Sequence, residues 1–264
     1  MFAGDTLHMN QDKYVFAQLV AFLDRNHFNY LVHKYSGDRY VKHFTCWNQL
    51  LALMFGQLSN RESLRDLVVA LEAHLSKCFH LGFGRNPIAK ITFANVNRNR
   101  DYSVFEKFAF YMMNLTRSRR TMDIFKLNGK VYTFDSTTIP YCLSAFWWAK
   151  FRKKKGGVEA YVLYDLESKV PAFFRITTAS VHNSKAMKVI SYESNSYYVF
   201  DRGRNAFKEL YRIHRHKSFF TVRAKKNLQY RCIKWRRRIP QNLVTDSEIL
   251  LYDHASAKKY TEQL

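Results

Sequence analysis

Two aspartates, Asp135 and Asp201, each close an aromatic and β-branched run: Val131-Tyr132-Thr133-Phe134-Asp135 and Tyr197-Tyr198-Val199-Phe200-Asp201. Runs of this kind read as buried strands, and a carboxylate after the last apolar residue sits at a sheet edge. Hard divalent cations take oxygen ligands and offset the charge of a scissile phosphate. Paired carboxylates in a strongly basic chain therefore suggest a metal-binding site for phosphodiester chemistry. The competing reading is that Asp simply terminates strands well.

The elements around the pair sharpen the choice. From residue 126 onward the sequence alternates in the manner of strands, with candidates over 130–135, 158–164, 171–177, 197–201 and 219–223. Helical stretches fit at 182–190 and 205–215. Three strands, a helix, a strand, a helix and a strand is the order of a ribonuclease-H-like domain, in which the first and fourth strands lie side by side. On that layout Asp135 and Asp201 are neighbours. Glu209, two helical turns beyond Asp201, reads as an ordinary surface residue.

Before residue 126 the pattern is helical. One amphipathic helix opens at Tyr14, and a mostly apolar one opens at Cys46 with Thr45 as its N-cap. The stretch 60–71 has apolar residues at 64, 67, 68 and 71, with Arg61 and Arg65 together on another face. After Pro87, residues 92–101 form a short polar helix carrying Arg98 and Arg100. Two helices around a Gly- and Pro-containing connection suit a DNA-reading arrangement; an arginine-bearing helix is also commonly just a solvated face. The fold class expected is thus α+β, with a helical DNA-binding domain over 1–125 followed by a ribonuclease-H-like α/β domain over 126–264.

Charge is the outlier in the composition: 43 Lys and Arg against 21 acids give a net +22. Such an excess calls for a polyanion, nucleic acid or an anionic membrane surface. No apolar run approaches the ~20 residues that span a bilayer, and residues 1–10 have no signal-peptide pattern, which implies a cytoplasmic, nucleoid-associated protein with nucleic acid as partner. Two basic stretches flank the aspartates. One, residues 146–157, sets Phe146, Trp147 and Trp148 beside Arg152, Lys153, Lys154 and Lys155. The other runs from Arg202 to Arg238, with 14 Lys and Arg against one acid, and includes Arg223, Lys225, Lys226, Trp235, Arg236, Arg237 and Arg238. Interleaved Tyr230 and Trp235 can stack on unpaired bases, so this stretch reads as a nucleic-acid groove rather than as a solubilising surface. The cysteines Cys46, Cys78, Cys142 and Cys232 are too scattered for a zinc site and read as reduced and mostly buried. His214 and His216, two residues apart in a helical segment, point to different faces and read as solvated.

Taken in order, Lys34 to Asp38, Cys46 to Gln49, Gln57 to Asp66, Ala94-Asn95 with Arg100-Asp101, Phe134 to Ile139, Trp148 to Gly157, Thr178 to His182 and Phe200 to Arg202 resemble an insertion-sequence transposase of the DDE type, from the family-four group that carries a helical N-terminal domain. The resemblance implies a three-acid site for two Mg²⁺ (or Mn²⁺) ions, with Asp135 first and Asp201 second. It further implies DNA cleavage and strand transfer at transposon terminal inverted repeats, the ends being held by residues 152–155, Arg223, Lys225 and Lys226. A homodimer, or a mixed oligomer with a full-length transposase, is the assembly expected.

Several positions depart from the family pattern. Its third acid, a glutamate on a late helix, has no counterpart among Glu209, Asp246, Glu248, Asp253 and Glu262. Glu159 stands where a basic residue is usual, and 252–264 no longer resembles the family. The expectation is a C-terminally truncated copy that keeps its DNA-binding surface and has an impaired site. The alternative is a non-catalytic fragment that occupies transposon ends or inhibits the full-length enzyme.

Overall fold

The computed structural model describes residues 14–78, 83, 87–119, 124–141, 150–152, 155–178, 186–201, 206–236, 239, 241–252 and 258–262, without side chains at 140–156. Contacts divide the chain into two compact units, one through Met112 and one from Met113.

The first unit is helical: α1 (Val15–Val20), α2 (Arg25–Lys34), α3 (Cys46–Leu58), α4 (Leu64–Ala73), α5 (Leu75–Cys78), α6 (Lys90–Asn99) and the start of α7 (Ser103–Arg119). Thr45 begins α3 as the sequence suggests. Its hydroxyl accepts from Asn48 N, while the Asn48 side chain accepts from Thr45 N, so two orphan donors of the first turn are satisfied reciprocally. Asp24 and Ser63 cap α2 and α4 in the same way, each accepting from a backbone N–H in the first turn. Phe28, Leu51, Ala52, Phe93 and Val104, all buried, form the centre of this core.

Several stretches that carry the family resemblance meet in one buried node. The Asp38 carboxylate accepts from Cys46 N at 2.7 Å and pairs with the Arg100 guanidinium at 3.4 Å. Arg100 also donates to Gln49 Oε1 and to the Phe44 carbonyl, both at 2.8 Å. Gly37 allows the close packing here, since a Cβ at that position would lie 2.7 Å from Cys46 Sγ. Burial pushes the Cys46 thiol from its ordinary 9.0 up to about 12. The native state therefore holds this proton where the unfolded chain releases it. The stability that follows is complete below pH 9 and is lost as pH rises toward 12. Urea midpoints measured from pH 8 to 10.5 should fall more steeply for the wild type than for Cys46→Ala; equal slopes would refute the assignment.

The second unit is built on a mixed sheet. β1 (Val131–Tyr141) pairs antiparallel with β3 (Lys155–Asp165), which pairs antiparallel with β4 (Val170–Thr178) and with the short β2 (Lys150–Arg152). On its other edge β1 runs parallel to β5 (Tyr197–Phe200), and β5 parallel to β6 (Phe219–Val222). The strand sequence β4, β3, β1, β5, β6 is that of the ribonuclease-H-like layout. Helix α8 (Phe207–Arg215) connects β5 to β6, as parallel strands require. The helix read over 182–190 lies largely outside the described residues; Ala186 and Met187 are helical and a turn follows.

Alternation decides which face is covered. Tyr132, Phe134, Tyr161, Leu163, Tyr198 and Phe200 are buried beneath Leu210 and Ile213 of α8, together with Met187, Ile190, Tyr192, Leu251 and Tyr260. Tyr260 is 1% exposed and edge-packs on Tyr211 and Phe220. A two-stranded ribbon, β7 (Tyr230–Trp235) and β8 (Ser247–Leu251), follows the sheet.

Two readings are corrected here. Glu209 is not a surface residue: it is 4% exposed, and its carboxylate is paired with Arg212 at 3.2 Å. Its place on the inner side of α8, one position before Leu210, accounts for the burial. His214 is not simply solvated either, because its Nδ1 lies 2.5 Å from the Tyr260 hydroxyl and its Nε2 pairs with Glu262 at 3.3 Å. Cys46 and Cys78 are buried as expected, Cys232 is partly exposed, and Cys142 lies outside the described residues.

Candidate active site

The parallel register runs Val131 to Tyr197 through Phe134 to Phe200, and onward from Phe200 to Val222. The next residue along each of the three strands is Asp135, Asp201 and Arg223. These form a row where the parallel pairing of β1, β5 and β6 ends, on the carboxyl side at which an open α/β sheet binds ligands. Adjacent strands lie about 4.8 Å apart, which sets the spacing of the two carboxylate-bearing backbones. Both aspartates follow a buried phenylalanine and are exposed. By alternation their side chains belong to the face opposite the α8-covered core.

Beyond Asp135, β1 continues for six residues against β3, and this extension brings in a group that strand reading alone does not single out. Asp135 Oδ1 accepts from Ser136 N at 2.7 Å, and Ser136 Oγ donates to Glu159 Oε1 at 2.7 Å. Glu159 sits opposite Thr138 in the register, diagonal to Ser136 and on its face of the sheet. The signal that could have found it is the Gly156-Gly157 pair: a strand starting there and running antiparallel to β1 carries Glu159 back beside Ser136.

The donor set fits a hard divalent cation, since it consists of carboxylate oxygens of exposed aspartates at neighbouring positions of adjacent strands. Among the described residues, no group of three His, Cys, Asp or Glu side chains that could hold a metal ion is gathered anywhere. The site as described thus offers two carboxylates, with Glu159 engaged by Ser136.

The basic residues divide. Arg223 ends the row, and Lys225 and Lys226 are exposed just after it. Trp235 is 66% exposed on β7. Arg236 is exposed but pairs with Asp246 at 3.6 Å and with Glu248 at 3.9 Å, so part of its charge is answered within the ribbon. Arg152 and Lys155 are opposite one another in β2 and β3. Lys153, Lys154, Arg202, Arg237 and Arg238 lie outside the described residues. In the helical unit, the two arginines of the polar helix part company. Arg100 has a side-chain exposure of only 5% and is consumed by Asp38, Gln49 and Phe44, whereas Arg98 is exposed.

Comparison with known proteins identifies the family. Residues 127–261, just over half of the chain, match the family model described as Transposase DDE domain, and the chain belongs to that family. Residues 11–84 match a second model, described as Domain of unknown function (DUF4372). A relative named "Putative transposase y4zB", from Sinorhizobium fredii (strain NBRC 101917 / NGR234), is 30% identical over 155 residues, covering 58% of this chain and 41% of the relative. The chain thus spans about two-fifths of that relative's length. The family match includes residues 252–261, which correlates with the buried position of Tyr260 and corrects the reading that resemblance ends at Tyr252. DDE transposase domains generally use divalent metal ions. No helix among the described residues is long and apolar enough to cross a membrane.

Proposed function

We propose that this chain acts on DNA at the terminal inverted repeats of an insertion-sequence element of the family-four group, through a metal-dependent site built on Asp135 and Asp201. The observation that carries the reading is the shared register of β1 and β5, after which the two aspartates follow side by side in a DDE-family sheet. Residues 1–125 would form a DNA-binding domain and 126–264 the catalytic one. Mg²⁺ or Mn²⁺, two ions in a complete site, supplies activation of an attacking hydroxyl and charge neutralisation at the leaving oxygen when bound. Asp135 and Asp201 would hold the ions, and the Ser136 N–H, with the serine hydroxyl anchored on Glu159, fixes one oxygen of Asp135. Arg223, one strand over from Asp201, is placed for a phosphate of the bound strand.

Residues 152–155, Arg202, Lys225, Lys226, Trp235 and Arg236 to Arg238 extend the DNA contact. Two carboxylates neutralise less charge than three, so cleavage by this chain is expected to be impaired. A second reading, a non-catalytic chain that occupies the ends or blocks a full-length transposase in a mixed oligomer, is favoured by the exposed Arg223, Lys225 and Lys226, since phosphate binding through them needs no metal. DNA as the partner places either activity at the cytoplasmic nucleoid.

Nicking of labelled duplex by the purified chain in Mg²⁺ or Mn²⁺ separates these readings. Metal-dependent nicks lost in Asp135→Asn support the catalytic one, and salt-sensitive binding without nicks supports the second. Nicking that ignores both metal and the substitution would refute the site. The DNA surface has its own measure, because log affinity falls with log salt by about 0.9 per phosphate neutralised. The triple change Arg223→Ala, Lys225→Ala and Lys226→Ala should flatten that slope by about 2 to 3. An unchanged slope would remove these three residues from the interface.

A further inference from the structure

Helix α6 is built unlike its neighbours. Within Lys90–Asn99, Phe93 is the buried residue, edge-packed on Phe44 at 5.2 Å. Val96 packs against the same core, and Asn97 accepts from Gln49 Nε2 at 2.6 Å. Arg100, the residue after the helix, completes the inward side through Asp38, Gln49 and the Phe44 carbonyl. On a helix of 100° per residue, positions 93, 96, 97 and 100 share one side, while 91, 95, 98 and 99 share the other. That outer side is Ile91, Asn95, Arg98 and Asn99, all exposed, with Ile91 at 74%.

Local helix preference does not account for this choice of residues. Three asparagines in ten positions are poor helix formers, and Ala89 at the N-cap makes no side-chain cap. The helix is held in place from within, by Phe93 and the Arg100–Gln49–Asn97 network, and thereby presents two amides and a guanidinium outward. Residues 87–100 contain no acid and carry Lys90 and Arg98 outside the buried node, so the exposed side is complementary to a polyanion. Amides match the adenine edge, guanidinium the guanine edge, and an aliphatic side chain the thymine methyl, all in the major groove of duplex DNA.

We propose that α6 is a sequence-reading helix for duplex DNA, with Asn95, Arg98 and Asn99 contacting base edges and Arg100 serving as its internal anchor. The inference rests on DNA being the partner, but not on the metal site. The roles of the two arginines are therefore opposite, although they are two residues apart.

The test is selection of binders from a pool of 30-base-pair random duplexes by the full chain, in EDTA so that no metal chemistry takes part. The wild type is expected to enrich a defined motif. The triple variant Asn95→Ala, Arg98→Ala and Asn99→Ala should lose it, binding the selected duplex at least about tenfold more weakly. Its affinity for the unselected pool should change less than about threefold, since phosphate contacts carry that binding. Arg98→Lys, which keeps the charge and loses the bidentate fork, should weaken preference at a single motif position. These side chains are exposed, so thermal melting should match wild type and exclude a folding defect. Enrichment of no motif by the wild type, or of the same motif by the triple variant, overturns the inference. Failure of metal-dependent nicking would leave this result untouched, and failure of the selection would leave nicking untouched, so the two readings fall separately.

Discussion

Asp135→Asn is expected to abolish saturable Mn²⁺ binding by the chain, and Asp201→Asn is expected to do the same. The argument is one of charge and geometry. Val131 to Phe134 and Tyr197 to Phe200 are in register, so the two carboxylates are next to one another where the parallel pairing of β1 with β5 ends, and they share the face opposite the core. A hard cation held by two carboxylates loses half its anionic ligand charge when either becomes an amide. Changes one shell further out typically cost about 10–100-fold in metal affinity or activity, so direct ligand loss should exceed about 100-fold. Titration followed by the electron paramagnetic resonance of free Mn²⁺ reads this without requiring any cleavage. Both residues are exposed, Asp135 within β1 and Asp201 just past β5, so the folded state should tolerate the amides. Saturable binding retained in both variants would place the metal elsewhere and remove the pair from the reading. Glu159→Gln offers a finer contrast: it weakens the anchor on Ser136 while leaving both carboxylates in place, and should reduce binding by less than either aspartate change.

Arg117→Leu is expected to lower the melting temperature of the second unit by roughly 5–10 °C, following a loss of about 2–3 kcal/mol. In the last turn of α7, the Arg117 guanidinium pairs with Asp165 at 3.4 Å; the two side chains are 16% and 3% exposed. It also donates to the Tyr132 hydroxyl at 2.7 Å, and that hydroxyl donates to Glu193 at 2.8 Å. Burial, reinforced by the Glu193 carboxylate, pushes the Tyr132 phenol well above its usual range and keeps it a donor. Removing one partner of a buried ion pair leaves the other uncompensated, which ordinarily costs about 3–5 kcal/mol. The lower figure is appropriate because Asp165 keeps two backbone donors, Glu167 N and Ser168 N. The paired change Arg117→Leu with Asp165→Asn should recover part of the loss, as the stranded charge is then gone. A single variant that melts within a degree of wild type would show that this contact carries no stability.

The helical unit shows why adjacent basic residues in a sequence need not share a task. Arg98 and Arg100 both lie in an acid-free stretch, and nothing in residue type separates them. The helical period does, but only once Phe93 is known to face Phe44, because a period has no origin until packing supplies one. Glu209 illustrates the same limit. Its distance from Asp201 along α8 is legible in the sequence, yet its burial depends on which side of α8 meets the sheet.

The elements themselves were largely legible. A strand leading to Asp201, the capped start of α3 at Thr45 and the order of strands and helices follow from alternation, β-branched and aromatic runs, and capping residues, all of which are local properties; the strand read as ending at Asp135 instead continues to Tyr141, because pairing with β3 extends it. From that order the adjacency of the first and fourth strands also follows, because parallel strands need a crossover and crossovers are right-handed. The excess of Lys and Arg points to a polyanion in advance of any fold. What only the tertiary structure decided were relations between distant segments: the row that adds Arg223 to the two aspartates, the Glu159 carboxylate brought to Ser136 by the β1–β3 pairing, and the docking of Tyr260 onto α8. Each of these depends on register or on side-chain packing, which are set by contacts summed over the whole sheet and not by any one stretch of the chain.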